Sequence, residues 1–233
     1  MTTYKKIKKI ILFGTGDLAQ IAKLYFERDT VYKVVGFTVD DKYLKENTLM
    51  GLPVVPFSSV TTSFPPQTHD IHVCLIYNDM NRLRAKKCKE AEEMGYKLAS
   101  YISSAAFVAP TAKIGKHALI FENNVIQDFV EIGENVILWS GNHVGHHSKI
   151  EDSVFVSSHV VISGHCVVGA NSFLGVNSTL ANGTTIGKET WVSHGSVLSG
   201  DIPAHSMVTS PVRSSVTALN EEALTKALEK ARR

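Results

Sequence analysis

The chain has 233 residues, with 24 Lys and Arg against 22 Asp and Glu and a formal net charge of +2 at pH 7. This near balance gives no support for a nucleic-acid-binding or membrane-surface protein, and no apolar run approaches the roughly 18 residues of a membrane-spanning helix. The cysteines Cys74, Cys88 and Cys166 show neither a pairing pattern nor a metal-ligand spacing, which predicts a reducing, cytoplasmic location.

The N-terminal region begins with an apolar, β-rich run at residues 7–13, which predicts a buried strand. Gly14, Thr15 and Gly16 follow directly, and a helical pattern then continues to about residue 27. A strand, a Gly-x-Gly turn and a helix in this order direct helix N-terminal N–H groups at a phosphate or another polar group. We therefore expect these three residues to bind substrate, although Ala19 replaces the third glycine of the dinucleotide motif.

Alternating strand and helix patterns continue to about residue 102 and predict a small parallel sheet with flanking helices. We expect strands at 33–38, 53–57 and 71–76, a loop at 64–70, a helix at 81–94 and a closing segment at 97–102. Asp40 and Asp41 follow the second strand, about twenty residues beyond the glycine turn, where a dinucleotide fold has its ribose-binding acid. The region has about half the length of a full dinucleotide fold, so a mononucleotide is the expected ligand.

A strict six-residue period organises the second half of the chain. Every sixth residue is Ile, Leu or Val at Val108, Ile114, Ile120, Ile126, Ile132, Leu138, Val144, Ile150, Val156, Ile162, Val168, Leu174, Leu180, Ile186, Val192 and Leu198. Four residues after each of these comes a mostly small side chain: Ala112, Ala118, Asn124, Val130, Val136, Asn142, Ser148, Val154, Val160, Cys166, Ser172, Ser178, Thr184, Thr190, Ser196 and Ile202. The period predicts a hexapeptide β-solenoid in which three hexads form one triangular coil.

Both sets of residues would face the interior of a three-sided prism whose coils are stacked about 4.8 Å apart. Gly follows the aliphatic residue where we expect a tight corner, at Gly115, Gly133, Gly145, Gly169, Gly175 and Gly187. After Pro203 the chain leaves the prism, and a helix at about 219–231 is expected to cover the open end. The expected parts are thus 1–103, 104–206 for the prism, and 207–233 for the tail and capping helix.

Histidines are concentrated in one coil, at His143, His146 and His147, and His165 lies one 18-residue coil beyond His147. By the period, these histidines lie on the outside of the prism. Clustered imidazoles on a rigid scaffold are suited to accept a proton near pH 7, although a solvated polar face also explains any one of them. His143, His147 and His165 could in principle converge on zinc, but we expect no metal.

The chain resembles the NeuD-type sialic-acid O-acetyltransferases and the PglD-type nucleotide-amino-sugar N-acetyltransferases over nearly its whole length. The motifs that carry the resemblance are Gly14-Thr15-Gly16, Gly36-Phe37 leading to Asp40-Asp41, Ser104-Ala105 leading to Val108, Gly145-His146-His147, and Ser163-Gly164 ahead of Gly169. The resemblance implies a small Rossmann-like α/β domain that holds the nucleotide of a sugar donor, followed by an all-β domain, a left-handed parallel β-helix. It also implies a homotrimer with acetyl-CoA bound in the groove between neighbouring β-helices.

Individual roles follow from the same resemblance. His146 would be the general base, and the backbone N–H of Gly164 would lie near the thioester carbonyl. The residues expected to contact acetyl-CoA are Gly164, His165, Ser172, Val176 and Arg213. The residues expected to contact the nucleotide-linked sugar are Gly14, Thr15, Gly16, Asp40, Asp41, Asn81 and Arg82. His147 departs from the family, which usually has Asp or Glu directly after the base; Glu151, Asp152 or a neighbouring chain could replace that acid.

The leading hypothesis is an acetyl-CoA-dependent N-acetyltransferase for a nucleotide-linked amino sugar of a bacterial surface glycan. O-acetylation of a sugar such as sialic acid is the alternative within the enzyme class, and loss of the base should impair it more, because a hydroxyl needs more activation than an amine. A non-catalytic trimeric scaffold that binds a nucleotide sugar would not bind acetyl-CoA. A nicotinamide-dependent enzyme would bind NAD, but the missing third glycine and the short domain argue against it.

Overall fold

The structure is a computed structural model that describes residues 7–210. Its N-terminal domain is built on a five-stranded sheet, in which the strands, numbered along the chain, have the order β3-β4-β2-β1-β5. Its elements are β1 (Lys8–Phe13), α1 (Asp17–Asp29), β2 (Tyr32–Val39), β3 (Thr48–Leu49), β4 (Leu52–Pro56), α2 (Val60–Ser63), β5 (His69–Val73) and α3 (Arg82–Glu93). All neighbouring strands are parallel except β3, which pairs antiparallel with β4. Ile10, Ile11 and Leu12 of β1 are completely buried, as the apolar run predicts for a central strand.

The sequence does not predict β3 or α2, and β5 begins at His69, inside the predicted loop at 64–70. The predicted closing segment also differs from the structure. Residues 97–102 do not act together as a closing segment of the N-terminal domain. Leu98 forms a bridge with Ile71 at the edge of its sheet, whereas Tyr101–Ile102 pairs with Leu119–Ile120. Because hydrogen bonding decides the membership of a strand, Tyr101–Ile102 is the first strand of the repeat region, which extends by pairing from 101 to 208.

The repeat region is a three-sided prism of two-residue parallel strands, and this confirms the predicted β-helix. The first side contains β7 (Phe107–Val108), β10 (Val125–Ile126), β13 (His143–Val144), β16 (Val161–Ile162), β19 (Thr179–Leu180) and β22 (Val197–Leu198). The second side contains β8 (Lys113–Ile114), β11 (Glu131–Ile132), β14 (Lys149–Ile150), β17 (Val167–Val168), β20 (Thr185–Ile186) and β23 (Asp201–Ile202). The third side contains β6 (Tyr101–Ile102), β9 (Leu119–Ile120), β12 (Ile137–Leu138), β15 (Phe155–Val156), β18 (Phe173–Leu174), β21 (Trp191–Val192) and β24 (Met207–Val208).

The interior of the prism holds both predicted sets of side chains. The aliphatic residues from Ile120 to Leu198 form one buried cluster, which also includes Cys166 and the small apolar residues of the second set. Ile202 is an exception to the predicted pattern, because it pairs with Ile186, only sixteen residues earlier. It therefore occupies an aliphatic position in a shortened last coil, and not a position of the small set.

The glycines after the aliphatic residues have a different role from the one expected. The left-handed corner residues lie two positions further on, as at His147 (φ 59°) and His165 (φ 58°), whereas the glycines after the aliphatic residues have no positive φ. A Cβ on Gly145 would lie 2.5 Å from the carbonyl carbon of Ser163, and one on Gly169 would lie 2.4 Å from a backbone nitrogen. These glycines are required because adjacent coils stack closely, and not because the corner needs an unusual φ.

The N-terminal domain packs on the third side of the prism. Phe26 of α1 shares a buried cluster with prism residues that include Tyr101, Leu119, Phe121 and Ile137. Further along the same side, Phe155, Phe173 and Trp191 form a stacked column on successive coils, and the ring of Tyr77 meets all three edge-on at 4.8–5.6 Å between centroids. Apolar and aromatic burial therefore fixes the two domains against each other.

A buried arginine completes this contact at the corner between the second and third sides, which we call the joint corner (His117, Asn135 and Ser153). Arg84 of α3 is fully buried. Its guanidinium donates to the Asn135 side chain at 3.0 Å and to the carbonyls of Asn135 and Ser153 at 3.1 Å each. Burial lowers the pKa of Arg84 to about 10, and no carboxylate of residues 7–210 pairs with it. The charge is thus satisfied by main-chain and amide oxygens.

Two buried histidines lie beside this arginine. The rings of His72 and His117 stack at 4.2 Å, and His117 Nε2 accepts the backbone N–H of Val73 at 2.8 Å. Burial lowers the pKa of His72 to about 4, and burial together with the neighbouring His72 lowers that of His117 well below its ordinary value. Both imidazoles are therefore neutral structural groups at neutral pH.

The predicted capping helix and Arg213 lie outside the described residues. In the part of the chain from 7 to 210, no helix combines the length and the apolar character required to cross a membrane.

Candidate active site

Three exposed histidines meet at the corner between the first and second sides, which we call the histidine corner (His146, His147 and His165). His147 and His165 occupy the same left-handed position of successive coils, so their rings stack, with centroids 5.0 Å apart and an interplanar angle of 16°. Phe129, one coil earlier, packs against the other face of His147 at 4.7 Å. The eighteen-residue coil therefore fixes these rings in one column.

His146 stands beside this column and is held at both ends of its ring. Its Nδ1 lies 3.1 Å from Nδ1 of His147, a hydrogen bond in which one ring donates and the other accepts. The other end of the ring lies over Gly164, where a Cβ would be 2.8 Å from Cε1 and 2.9 Å from Nε2. Because Gly164 has no side chain, the His146 ring can lie against the backbone of the next coil, with Nε2 directed at that backbone.

His147 holds the position at which the family resemblance leads us to expect an acid. Asp152 Oδ1 accepts the backbone N–H of Glu134 at 2.8 Å, and Glu151 Oε2 accepts that of Ala170 at 3.1 Å. Both carboxylates are thus engaged elsewhere. Within the described chain, the partner of the His146 ring is a second imidazole.

The backbone around Gly164 leaves one donor unused. The neighbouring N–H groups of Ser163 and His165 donate to the carbonyls of Leu180 and His146, respectively. Among residues 7–210, no acceptor receives the N–H of Gly164. A free N–H beside an imidazole Nε2 is the pair of groups that acyl transfer requires, one for the oxyanion and one for the proton.

A cleft of about 770 Å³ lies between the N-terminal domain and the prism. Among its lining residues are the predicted Gly14, Thr15, Gly16, Asp40 and Val176. Helix α1 begins directly after Gly16, so the N–H groups of its first turn face this space. Lys45, Tyr77, Asn78 and Trp139 also line the cleft, although the sequence does not predict them as ligand contacts. No local motif marks them, because they come from loops and from the outer surface of the prism.

The two predicted acids have different surroundings in the structure. Asp40 lines the cleft and pairs with Lys87 Nζ at 2.6 Å. Asp41 does not line it, because its carboxylate accepts the hydroxyl and the backbone N–H of Ser58 at 2.7 and 3.4 Å. These hydrogen bonds lower the pKa of Asp41, which acts as a turn residue in this structure.

Three further residues lie away from the positions expected of ligand contacts. Asn81 is fully buried, and its amide donates to the carbonyls of Asn171 and Ser172, so it joins the domains. Arg82 lies on the surface and pairs with Asp79 and Glu189. Ser172 points into the prism, where its hydroxyl donates to the Gly187 carbonyl, and its side chain cannot contact a ligand from there. In each case tertiary packing, which a single sequence does not reveal, decides the role.

The cleft and the histidine corner belong to different corners of the same prism. The cleft reaches the corner between the third and first sides, which we call the cleft corner (Ser158 and Val176). His146 lies one corner further around, beyond the whole first side. One chain therefore does not bring its own cleft and its own histidines together.

The comparisons agree with this architecture. Residues 111–146 match the family described as bacterial transferase hexapeptide (six repeats). No curated protein sequence matches the chain. Among solved structures, PerB from Caulobacter crescentus in complex with CoA and GDP-perosamine is 25% identical, with a TM-score of 0.77 over 89% of this chain and 97% of that one.

Two further structures share the fold. The acetyltransferase domain of PglB from Neisseria gonorrhoeae in complex with acetyl coenzyme A is 24% identical, with a TM-score of 0.77 over 86% of this chain and 95% of that one. WeeI from Acinetobacter baumannii is 19% identical, with a TM-score of 0.70 over 90% of this chain and 99% of that one. The repeat and the shared architecture support the predicted NeuD/PglD-type family, and the chain is an acyltransferase built on hexapeptide repeats.

Proposed function

We propose that the protein is an acetyl-CoA-dependent N-acetyltransferase that acts on the amine of a nucleotide-linked amino sugar for a bacterial surface glycan. The observation that carries the proposal is the pairing of a positioned imidazole, His146, with the unused N–H of Gly164. PerB, which shares the fold, was solved with CoA and a nucleotide-linked amino sugar. No metal is part of this proposal.

The cleft provides the groups that a nucleotide-linked sugar needs. The N–H groups at Gly16 and the start of α1 suit the diphosphate, and Lys45 adds a positive charge to the same space. Trp139 and Tyr77 offer aromatic surfaces for a base or a sugar ring. Asp40, held by Lys87, is positioned to accept hydrogen bonds from hydroxyl or amide groups.

The reaction follows from the two groups at the histidine corner. The amine nitrogen attacks the thioester carbonyl carbon, and His146 Nε2 takes a proton from the nitrogen as the new bond forms. The N–H of Gly164 donates to the oxyanion that develops on the carbonyl oxygen. When the carbonyl reforms, the C–S bond breaks and CoA leaves as its thiolate, a good leaving group at neutral pH. The proton on His146 then passes to this thiolate or to water.

His147 positions the base in this mechanism. A neutral His147 that accepts the Nδ1–H of His146 leaves Nε2 of His146 unprotonated, which is the tautomer that the reaction needs. Unlike a carboxylate, it adds no negative charge to stabilise the imidazolium. The dyad is therefore a weaker base than a His–acid pair, and this favours an amine acceptor over a hydroxyl.

The complete site forms between neighbouring copies in this proposal. The cleft of one copy and the histidine corner of the next would meet in a closed ring of three. The outer face of the first side carries exposed apolar side chains suited to such a contact, namely Phe107 (58% exposed), Val125 (37%), Val161 (40%) and Val197 (81%). The free cysteines Cys74, Cys88 and Cys166 fit a cytoplasmic reaction.

A thiol-release assay with acetyl-CoA and a panel of nucleotide-linked sugars, half of them carrying a free amine, tests the activity. Release only with amino sugars is expected. Thiol release with sialic acid or with a sugar that carries only hydroxyl groups, and none with the amino sugars, would replace the proposal with O-acetylation.

Complementation tests the shared site. Co-expression of His146→Asn with Thr15→Glu, whose carboxylate would repel a phosphate in the cleft, should restore about a quarter of the wild-type activity, because random mixing leaves that share of intact sites. Two inactive variants that never complement each other would exclude a site shared between copies.

A further inference from the structure

The three rings of the histidine corner form a group that can hold a metal ion. One nitrogen from each of His146, His147 and His165 lies within 4.8 Å of the other two. The Nδ1 atoms of His146 and His147 are 3.1 Å apart. With zinc–nitrogen bonds of about 2.0–2.1 Å and tetrahedral angles, ligand nitrogens are separated by roughly 3.3 Å. Side-chain rotations alone can therefore bring the three nitrogens to bonding distance.

The backbone beneath these side chains is fixed. His165 N–H donates to the His146 carbonyl at 2.9 Å, and His147 N–H donates to the Asp128 carbonyl at 3.1 Å. The side chains themselves are exposed, so they can turn without disturbing the core. A fixed backbone that carries three exposed imidazoles on one side leaves further coordination positions to water, as in an open zinc site.

We propose that His146, His147 and His165 bind one Zn²⁺ ion, and that this ion inhibits the enzyme. The inhibitory half of the proposal rests on the proposed function of His146. Zinc on His146 Nε2 occupies the atom that must take the proton. Zinc on Nδ1 leaves the ring proton on Nε2, which then cannot accept another. Either mode of binding removes the base.

The ligands are neutral imidazoles that suit zinc. No carboxylate of residues 7–210 lies within 4.0 Å of a nitrogen of the three rings, since the one histidine ion pair is that of His205 with Glu189, and Asp128, Glu151 and Asp152 are engaged elsewhere. Without such supporting groups the affinity is expected to be lower than in a closed structural zinc site. The ion is therefore a reversible inhibitor in this proposal.

Isothermal titration of metal-free protein without a polyhistidine tag, with Zn²⁺ as the probe, tests the site directly. We expect one ion per chain, with affinity weakened by about tenfold or more in both His147→Gln and His165→Gln. The matched control is His205→Gln, at an exposed histidine that lies at a different corner beside Glu189. Unchanged zinc binding in His165→Gln, or equal loss in His205→Gln, would overturn the site.

Inhibition is measured separately, as the zinc concentration that halves thiol release relative to the metal-free rate of each variant. We expect this concentration to rise by about tenfold or more in His165→Gln, following the loss of affinity. Zinc that binds at the three histidines but leaves wild-type turnover unchanged would overturn the inhibitory half. Absence of thiol release with every sugar would instead count against the proposed function, and the titration would still decide the metal site.

Discussion

Two corners of the same prism show how one backbone geometry acquires two uses. His117 at the joint corner and His147 at the histidine corner have the same left-handed conformation, with φ of 57° and 59°. Each stacks on a second histidine, His117 on His72 at 4.2 Å and His147 on His165 at 5.0 Å. Yet His117 is only 1% exposed, whereas His147 is open to solvent.

The difference comes from what covers the corner. At the joint corner, α3 and the strand that ends at Val73 exclude water, and the pKa of His117 falls because its charged form loses hydration. At the histidine corner the rings contact one another, Phe129 and the Gly164 backbone, and all three remain exposed to solvent. The repeat thus fixes where an imidazole stands, and the neighbouring elements decide whether it serves the structure or the chemistry.

The strongest test of this contrast removes the imidazole at the exposed corner. His146→Asn should lower turnover by about 10²–10⁴-fold, because the proton acceptor is lost, while stability stays near that of the wild type. Steady-state thiol release and thermal unfolding measure the two effects. Near-wild-type turnover would show that His146 is not the base.

At the joint corner the largest effect is expected on stability. Arg84→Met should lower the free energy of unfolding by about 2–4 kcal/mol, because the carbonyls of Asn135 and Ser153 lose their buried donor. Urea denaturation provides the measurement. Arg82→Met is the matched control on the same helix, and this exposed residue should change stability by less than about 0.5 kcal/mol. Equal effects in the two variants would contradict the importance of the buried contact.

The joint corner should also be sensitive to acid. The pKa of His72 is about 4 in the fold and 6.5 when unperturbed, so protons bind the unfolded chain more strongly. Its stabilising contribution is complete above pH 6.5 and is lost as the pH falls toward 4, with a loss of about 2 kcal/mol at pH 5.

Denaturation curves between pH 4.5 and 8 measure this loss. His72→Asn, whose amide can still donate to the Ala99 carbonyl, should show a shallower fall. An equal slope in the variant would assign the acid sensitivity to other groups.

Alanine substitutions at two glycines distinguish a steric effect on the His146 side chain from a steric effect on the stacking of adjacent coils. Gly164→Ala should reduce turnover about tenfold with little loss of stability, because the atoms nearest to the new methyl group belong to the His146 and Asn182 side chains and not to the backbone. Gly145→Ala should mainly lower stability, because its methyl group would meet the backbone of Ser163 and Gly164. Thermal unfolding and thiol release on both variants distinguish these outcomes, and the reverse pattern would contradict the assignment.

The smallest effect is expected at His147. Replacement by Gln should reduce turnover by only a few-fold, because an amide can still accept the Nδ1–H of His146. Replacement by Glu, which introduces the acid usual in the family, should retain or raise turnover. Kinetics with a saturating amino sugar compare the two variants. Higher turnover in Gln than in Glu would argue against a positioning role.

Periodic features of the structure could be predicted from the sequence. The aliphatic period predicts the three-sided prism, and the same spacing predicts that His165 lies directly above His147, as it does in the structure. The Gly14–Gly16 turn was predicted at the start of a helix, and it lines the cleft. These inferences succeed because the period or the local chain alone determines them.

Contacts between the domains could not be predicted in this way. In the sequence, Arg84 is one of several charged residues of an amphipathic helix. In the structure it is buried, and it donates to backbone carbonyls of residues that are distant in the sequence. The resemblance predicts that Asn81 and Ser172 contact ligands, yet the Asn81 amide donates to the Ser172 carbonyl across the domain contact, and the Ser172 hydroxyl donates to the Gly187 carbonyl inside the prism. Such roles depend on which face of a helix meets which coil, and a single sequence contains no local signal for that choice.

The carbonyls that receive Arg84 have a consequence for how the two domains find their alignment. A prism repeats its main chain every coil, so equivalent acceptors recur about 4.8 Å further along the axis. The backbone alone would tolerate an N-terminal domain displaced by a whole coil. The Asn135 amide is bonded to both Arg84 and His117, and the equivalent positions one coil away hold His117 and Ser153 instead. The Asn135 side chain thus distinguishes its own level of the prism from the levels one coil above and below.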